Sequence, residues 1–246
     1  MQKEFINIAA HELRTPIQPI LGLTQVIRSN VKDTKQRELL DVTIRNAKRL
    51  QRLTEDILDV TRIESQSLCL KEEQFNLNDV ITNAINDGKA NNDFLKQPKN
   101  AKIKLEYQPH QDVFVQADKG RIIQVISNLL NNAIKFTQEG RISISLERKE
   151  DDDNNDQVVI SVKDSGQGIH HDILPKLFTK FATKSETGTG LGLFISKSLV
   201  EAHGGRIWAE NNADSKGATF HFMLQVIKVQ QQQPSLEKEH VNQQQQ

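Results

Sequence analysis

The feature that most constrains this chain is a seven-residue apolar repeat at its start. Ile6, Leu13, Ile20 and Ile27 form one set, and Ala10, Ile17, Thr24 and Val31 a second, interleaved at spacings of four and three. That is the a/d pattern of a helix packing in a bundle. The pattern breaks over residues 29–33, where Asp33 with Gln36 three residues later has the form of an N-cap box. A second amphipathic helix follows, with Leu39, Leu40, Ile44, Ala47, Leu50, Leu53, Ile57, Val60 and Ile63 on its apolar face. Two such helices joined by a short loop make an antiparallel hairpin. Each stripe is wider than one neighbouring helix can cover. A second copy of the chain would complete a four-helix core, so residues 1–65 are expected to form a homodimer. The alternative is that the stripe packs on the chain's own second domain.

Beyond residue 65 the periodicity changes. Residues 66–74 read as a linker, and 75–229 as a mixed domain. Residues 77–89, 119–136 and 191–202 have helical spacing, the second with Asp118 as N-cap. Residues 102–107, 113–117, 141–148, 158–163, 206–210 and 218–226 read as strands. The acidic run 151–156 is a solvated turn. Strands with helices between them predict an α+β fold: the helical hairpin, then an α/β sandwich in which helices cover one sheet. Residues 230–246 are Gln-rich and read as a disordered tail.

Composition excludes several classes. Thirty-two Lys and Arg balance 32 Asp and Glu, which argues against a nucleic-acid partner, whose affinity would need a cationic excess. Cys69 is the single cysteine among 246 residues, so no internal disulfide and no cysteine-built zinc site can form. No run approaches the ~20 apolar residues that cross a bilayer. There is no membrane segment in the sequence, and the expectation is a cytoplasmic chain, or the soluble part of a longer, membrane-anchored one.

Four clusters could carry chemistry. In the first, His11 sits one step outside the helical seam beside Glu12, and Pro16 cannot donate to the carbonyl of Glu12, so a kink is expected there. A histidine beside a carboxylate can be held neutral with one lone pair outward, the form a nucleophile needs. In the second, Asn128 and Asn132 share a helix face with Lys135 close by. Amide oxygens can ligate Mg²⁺ and a lysine can meet a phosphate; a solvated polar face is the bland alternative. In the third, Asp164-Ser165-Gly166-Gln167-Gly168 follows a strand, which suits a planar ligand with an amine donor, or is an ordinary turn. In the fourth, Gly188-Thr189-Gly190-Leu191-Gly192 precedes a helix and could expose N–H groups to an anion, or be a flexible loop. Together these are the parts that hold a nucleoside triphosphate with Mg²⁺, and residues 179–187 could act as a lid.

In this order the residues resemble the catalytic core of sensor histidine kinases of two-component signalling, over about residues 5–226. His11-Glu12-Leu13-Arg14-Thr15-Pro16 is similar to the H-box, 128–136 to the N-box and 164–168 to the first glycine box. Leu177-Phe178-Thr179-Lys180-Phe181 is similar to the F-box, and 188–192 to the second glycine box. The resemblance implies a dimerisation and phosphoacceptor hairpin followed by an ATP-binding sandwich of the type shared with Hsp90 and gyrase. It implies that His11 accepts the phosphoryl group, with Glu12 as adjacent base and Thr15 aiding phosphatase activity. Asn132 matches the Mg²⁺ ligand, supported by Asn128. Lys135 matches a phosphate contact, Phe136 closes the N-box, and Lys184 stands where many relatives carry an arginine near the phosphates. Asp164 matches the adenine-amine acceptor, flanked by Gly166 and Gly168. Gly188, Gly190, Leu191 and Gly192 match the lid hinge and phosphate loop, and Thr219 a water-mediated adenine contact. The implied activity is ATP-dependent autophosphorylation of His11, then transfer to an aspartate of a response-regulator receiver domain. The receiver is expected to dock below His11 on Ile17, Ile20, Leu21 and Leu23. The chain begins ten residues before His11, which reads as a fragment or an abbreviated first helix. A mechanical ATPase and a non-catalytic nucleotide-binding scaffold are the competing readings. Asn128 stands where the ATPase would need a carboxylate.

Overall fold

The computed structural model describes residues 2–91, 102–109, 111–150, 156–183, 188–213 and 216–227, with the backbone alone at 2–11, 13–14, 87–91 and 150. The chain folds as the antiparallel hairpin α1 (Gln2–Asn30) and α2 (Thr34–Glu64). Helix α1 passes through Pro16 and Pro19 without interruption. The turn is three residues long, and Asp33 caps α2 by accepting from the Gln36 N–H at 2.8 Å. Arg28 closes the turn end of the hairpin through Nε–H to Asp41 Oδ1 at 2.6 Å.

The contact between the two helices is narrower than the apolar stripes. Ile17, Leu21, Ile44 and Ala47 are buried together, while Ile20, Leu23, Val26 and Ile27 of α1 and Leu39, Val42, Leu50 and Ile57 of α2 are exposed. The expected seam therefore divides. Its Ile17 and Thr24 side faces the partner helix, and its Ile20 and Ile27 side faces out. Ile17 and Leu21, expected in part as docking surface, are hairpin core; Ile20 and Leu23 stay available.

The second unit is a five-stranded sheet of order β2 (Ile103–Tyr107), β4 (Gly140–Glu150), β5 (Asp156–Asp164), β7 (Ala218–Gln225) and β6 (Arg206–Asn211), in which only the β2–β4 pair is parallel. Helices α3 (Leu77–Asn91), α4 (Lys119–Phe136) and α5 (Gly192–Ala202) pack with it. A two-stranded sheet, β1 (Glu73–Asn76) with β3 (Phe114–Ala117), adds to the rim. The sequence places a linker over 66–74; β1 draws Glu73 and Gln74 out of it because Phe75 is buried and fixes the register opposite Val115. The tail expected at 230–246 lies outside the described residues.

Strand period sets the core. Val158, Ile160 and Val162 of β5 pair in register with Leu224, Phe222 and Phe220 of β7, so all six point to one face. There they join Ile122, Ile126, Leu129 and Leu199 of the helices. Each fully buried Leu, Ile or Phe contributes ~1.5–3 kcal/mol relative to exposure. The next inward position of β5 is not apolar. It is Asp164.

Candidate functional site

Asp164 ends the inward series 158, 160, 162, and only 5% of its surface is accessible. Its Oδ1 accepts from the Gly166 N–H at 2.8 Å and the Ala218 N–H at 3.3 Å. Among the described residues no group donates to Oδ2. Burial pushes this carboxyl above the usual range, although the two backbone bonds pull the other way. The turn after it is pressed on the end of α4. A side chain at Gly166 would stand 2.3 Å from the Phe136 carbonyl, and the Gln167 N–H donates to that same oxygen. Gly217 is equally confined: a Cβ there would lie 2.1 Å from the Asp164 carbonyl, at φ +107°. Gly168 takes φ +75° beside Asn211, which holds Ile169 through bonds at both amide atoms.

Thr219 reaches this wall indirectly. Strand alternation sets it out of phase with Phe220 and Phe222. Its hydroxyl donates to Asn212 Oδ1 at 2.6 Å, and Asn212 Nδ2 donates to the Asp164 carbonyl at 2.8 Å.

The other end of the site is built on α4. Asn128 Nδ2 donates to Ser196 Oγ of α5 at 2.9 Å. A Cβ at Gly192 would approach Asn128 Oδ1 to 2.4 Å, so a larger residue there would have to displace the Asn128 amide. Asn128 thus ties the two helices together. Asn132, one turn on and half-buried, has no bonding partner among the described residues. Lys135 is half-buried; burial first, and the Arg49 charge second, push its ammonium below the usual lysine value. Its Nζ lies 5.4 Å from the ring centre of the partly exposed Phe136. From Asn128 to Phe136 the helix rises ~12 Å, so α4 spans the site from the second glycine loop to the Asp164 wall.

In that loop Gly190 adopts φ +69° against Phe181, whose N–H donates to the Gly190 carbonyl. Leu191 is buried. Thr189, not singled out from sequence, accepts from the Leu191 N–H and donates to Asp56 Oδ2 of α2, both at 3.2 Å. Gly188 is half-buried beside it, and Lys184 lies outside the described residues.

The Asp56 contact belongs to a joint between the units that sequence reasoning missed. Three residues on, buried Asp59 accepts twice from Arg121 Nη1, at 2.9 and 3.0 Å, and from Gln124 Nε2 at 2.8 Å. Glu64 pairs with Lys180 of the F-box segment. Burial raises the Asp56 carboxyl, with the Thr189 bond opposing. No local signal marks Asp59 in the sequence, since Arg62 of the same helix, 3.8 Å away, already offers it a cation.

His11 lies in α1, with its side chain outside the described set; Glu12 and Thr15 are exposed. Ile17 and Leu21 cluster with Ile44 and Ala47, and in the antiparallel hairpin His11 and Asp56 both lie beyond that cluster, on the side away from the turn.

Comparison with known proteins agrees with this architecture. Residues 1–66 match the His Kinase A (phospho-acceptor) domain, HisKA. Residues 117–228 match HATPase_c, described as histidine kinase-, DNA gyrase B- and HSP90-like ATPase. Hybrid signal transduction histidine kinase C of Dictyostelium discoideum is 35% identical over 234 residues, 90% of this chain and 19% of that protein. The chain thus spans about a fifth of that relative. Among solved structures, full-length ShkA in complex with AMPPNP aligns with TM-score 0.69 and 25% identity, over 91% of this chain and 46% of the other. The catalytic domain of histidine kinase ThkA aligns with TM-score 0.53 and 32% identity, over 63% of this chain and 95% of the other. The chain belongs to the histidine kinase family. Among the described residues no helix is long and apolar enough to cross a membrane.

Proposed function

We propose that this chain is the core of an ATP-dependent protein-histidine kinase that phosphorylates its own His11. Residues 1–65 are the dimerising phosphoacceptor unit and 75–229 the ATP-binding unit. The single observation that carries the reading is the Asp56–Thr189 bond, which ties the second glycine loop to the hairpin on the side of the Ile17 cluster where His11 lies. ATP binding is supported by a buried carboxylate with an unused oxygen at one end of α4 and a glycine loop at the other.

In this reading Asp164 accepts from the adenine amine, with Gly166 and Gly168 beside the ring and Thr219 contributing through Asn212. Gly188, Gly190, Leu191 and Gly192 face the phosphates, with Lys135, Phe136 and Lys184 at the rim. Asn132, whose amide has no bonding partner among the described residues, would hold Mg²⁺, and Asn128 fixes the helix pair around it. Bound there, Mg²⁺ would offset phosphate charge. The neutral imidazole of His11 forms a P–N bond to the γ-phosphorus as the bond to the bridging oxygen breaks and ADP leaves. Glu12 orients the ring and takes up its proton. The phosphoryl group then passes to a receiver aspartate, and Thr15 assists the separate phosphatase reaction, in which water takes the phosphoryl group from that aspartate and inorganic phosphate leaves. The exposed Ile20, Leu23, Val26, Ile27, Leu50 and Ile57 support a homodimeric four-helix bundle. Incubation of wild type and His11→Gln with labelled ATP tests the site. Acid-labile label should vanish in the variant while nucleotide binding persists; undiminished labelling would refute it.

A further inference from the structure

A second cluster of chemistry lies outside this machinery. Residues 170–172 read His-His-Asp immediately after the first glycine turn. His171 Nε2 is 2.8 Å from Asp172 Oδ1, and His170 Nδ1 is 3.3 Å from Asp172 Oδ2. The two rings stack with centres 4.4 Å apart. One donor atom from each of the three residues falls within 4.8 Å of the other two.

We propose that His170, His171 and Asp172 form a binding site for a borderline divalent transition-metal ion such as Zn²⁺. Three arguments support it. First, ligands ~2.1 Å from a tetrahedral ion sit ~3.4 Å from one another, and the two imidazole–carboxylate separations, 2.8 and 3.3 Å, lie just below that value and need only small side-chain rotations to reach it. Second, two imidazoles and one carboxylate are the donor set that suits Zn²⁺, Cu²⁺ or Ni²⁺ rather than Mg²⁺ or Ca²⁺, which take oxygen. Third, the segment is held at both ends. Asn211 grips Ile169 through both its N–H and its carbonyl, at 2.7 and 2.9 Å. The Ile173 and Leu174 N–H groups both return to the His170 carbonyl, at 2.9 and 3.1 Å. A turn fixed in this way loses little freedom when its side chains converge on an ion. The Asp172 N–H, which donates to His170 Nδ1 at 3.3 Å, gives up that long bond when the nitrogen turns to the metal. The exposed side chains leave the remaining coordination positions to water. The site is independent of the nucleotide reading, since none of its three residues serves there.

The test is competition of the full chain with a chromophoric Zn²⁺ chelator, for wild type, His171→Gln and His170→Ala with His171→Ala. Far-UV circular dichroism follows the fold, which exposed substitutions leave intact. Wild type should take up one equivalent that the double variant loses, with at least tenfold weaker binding in His171→Gln. Uptake that is the same in all three proteins, or absent from wild type, overturns the proposal.

Discussion

Replacing Asp59 by Ala should release the ATP-binding unit from the hairpin without unfolding either. The Asp59 side chain is 7% exposed and that of Arg121 is 21% exposed, so the variant strands a largely buried guanidinium and removes the acceptor of Gln124. Breaking a buried ion pair from one side costs ~3–5 kcal/mol. Arg121 keeps some contact with water and can turn outward, which lowers the figure to ~2–3 kcal/mol, the range of one or two hydrogen bonds to a charged group. At 1.4 kcal/mol per factor of ten, the docked-to-undocked ratio falls ~30–150-fold. Spin labels at the exposed ends of Arg52 and Lys197 sites would report it. Wild type should give one narrow distance, and Asp59→Ala a broad second population. The melting of the ATP-binding unit should hardly move, because its core cluster does not include Asp59. Adding Arg121→Met should recover part of that loss, since it removes the guanidinium that Asp59→Ala leaves stranded. An unchanged distance distribution, or a loss of stability confined to the ATP-binding unit, would refute the reasoning.

Asp164→Asn should weaken ATP binding by about 2 kcal/mol, some 30-fold, the value of a bond to a buried carboxylate. Because burial raises this carboxyl, its contribution to folding is fully present below the unfolded carboxylate pKa and is lost as pH rises through the folded one. Nucleotide affinity runs the opposite way and falls on acidification through that raised pKa. Titrations across mildly acidic pH should therefore slope for wild type and stay flat for the variant. Gly217→Ala meets the Asp164 carbonyl at 2.1 Å with φ +107°. It should cost at least ~2 kcal/mol, seen as a Tm drop of ~4–8 °C; an unchanged Tm would show that the turn relaxes freely. Leu50→Asp with Ile57→Asp should turn a sedimenting dimer into a monomer that still binds nucleotide, and persistence of the dimer would move the interface elsewhere.

What the sequence made legible follows from what periodicity and glycine spacing report. The hairpin, the α4 boundaries and the Asp33 and Asp118 caps were readable because each depends on residues within one or two turns. Asp118 accepts from the Arg121 N–H at 3.1 Å, as its position predicts. Asp164 was legible as a carboxylate at a strand end, but its inward placement was not, because the strand runs one residue further than the apolar run. Three other features were not legible either. The division of the α1 stripe into buried Ile17 and exposed Ile20 depends on how the helices roll about each other, and apolar residues on both flanks hide that angle. Strand β1 is four residues long and pairs with β3 some forty residues away, too short for a periodic signal. The Asp56–Thr189 and Asp59–Arg121 contacts join residues 133 and 62 apart in the chain, and nothing local to either partner points to the other. Thr219 shows the limit of motif matching: the motif singles out the residue, but its bond to Asn212 comes from the strand phase.

The most direct test of the central claim is to incubate the chain with Mg-ATP at neutral pH and locate the phosphate by mass spectrometry. One phosphoryl group, labile in acid, is expected on the imidazole of His11. Phosphate on a serine or threonine, or none on His11 while ATP is bound, would contradict it.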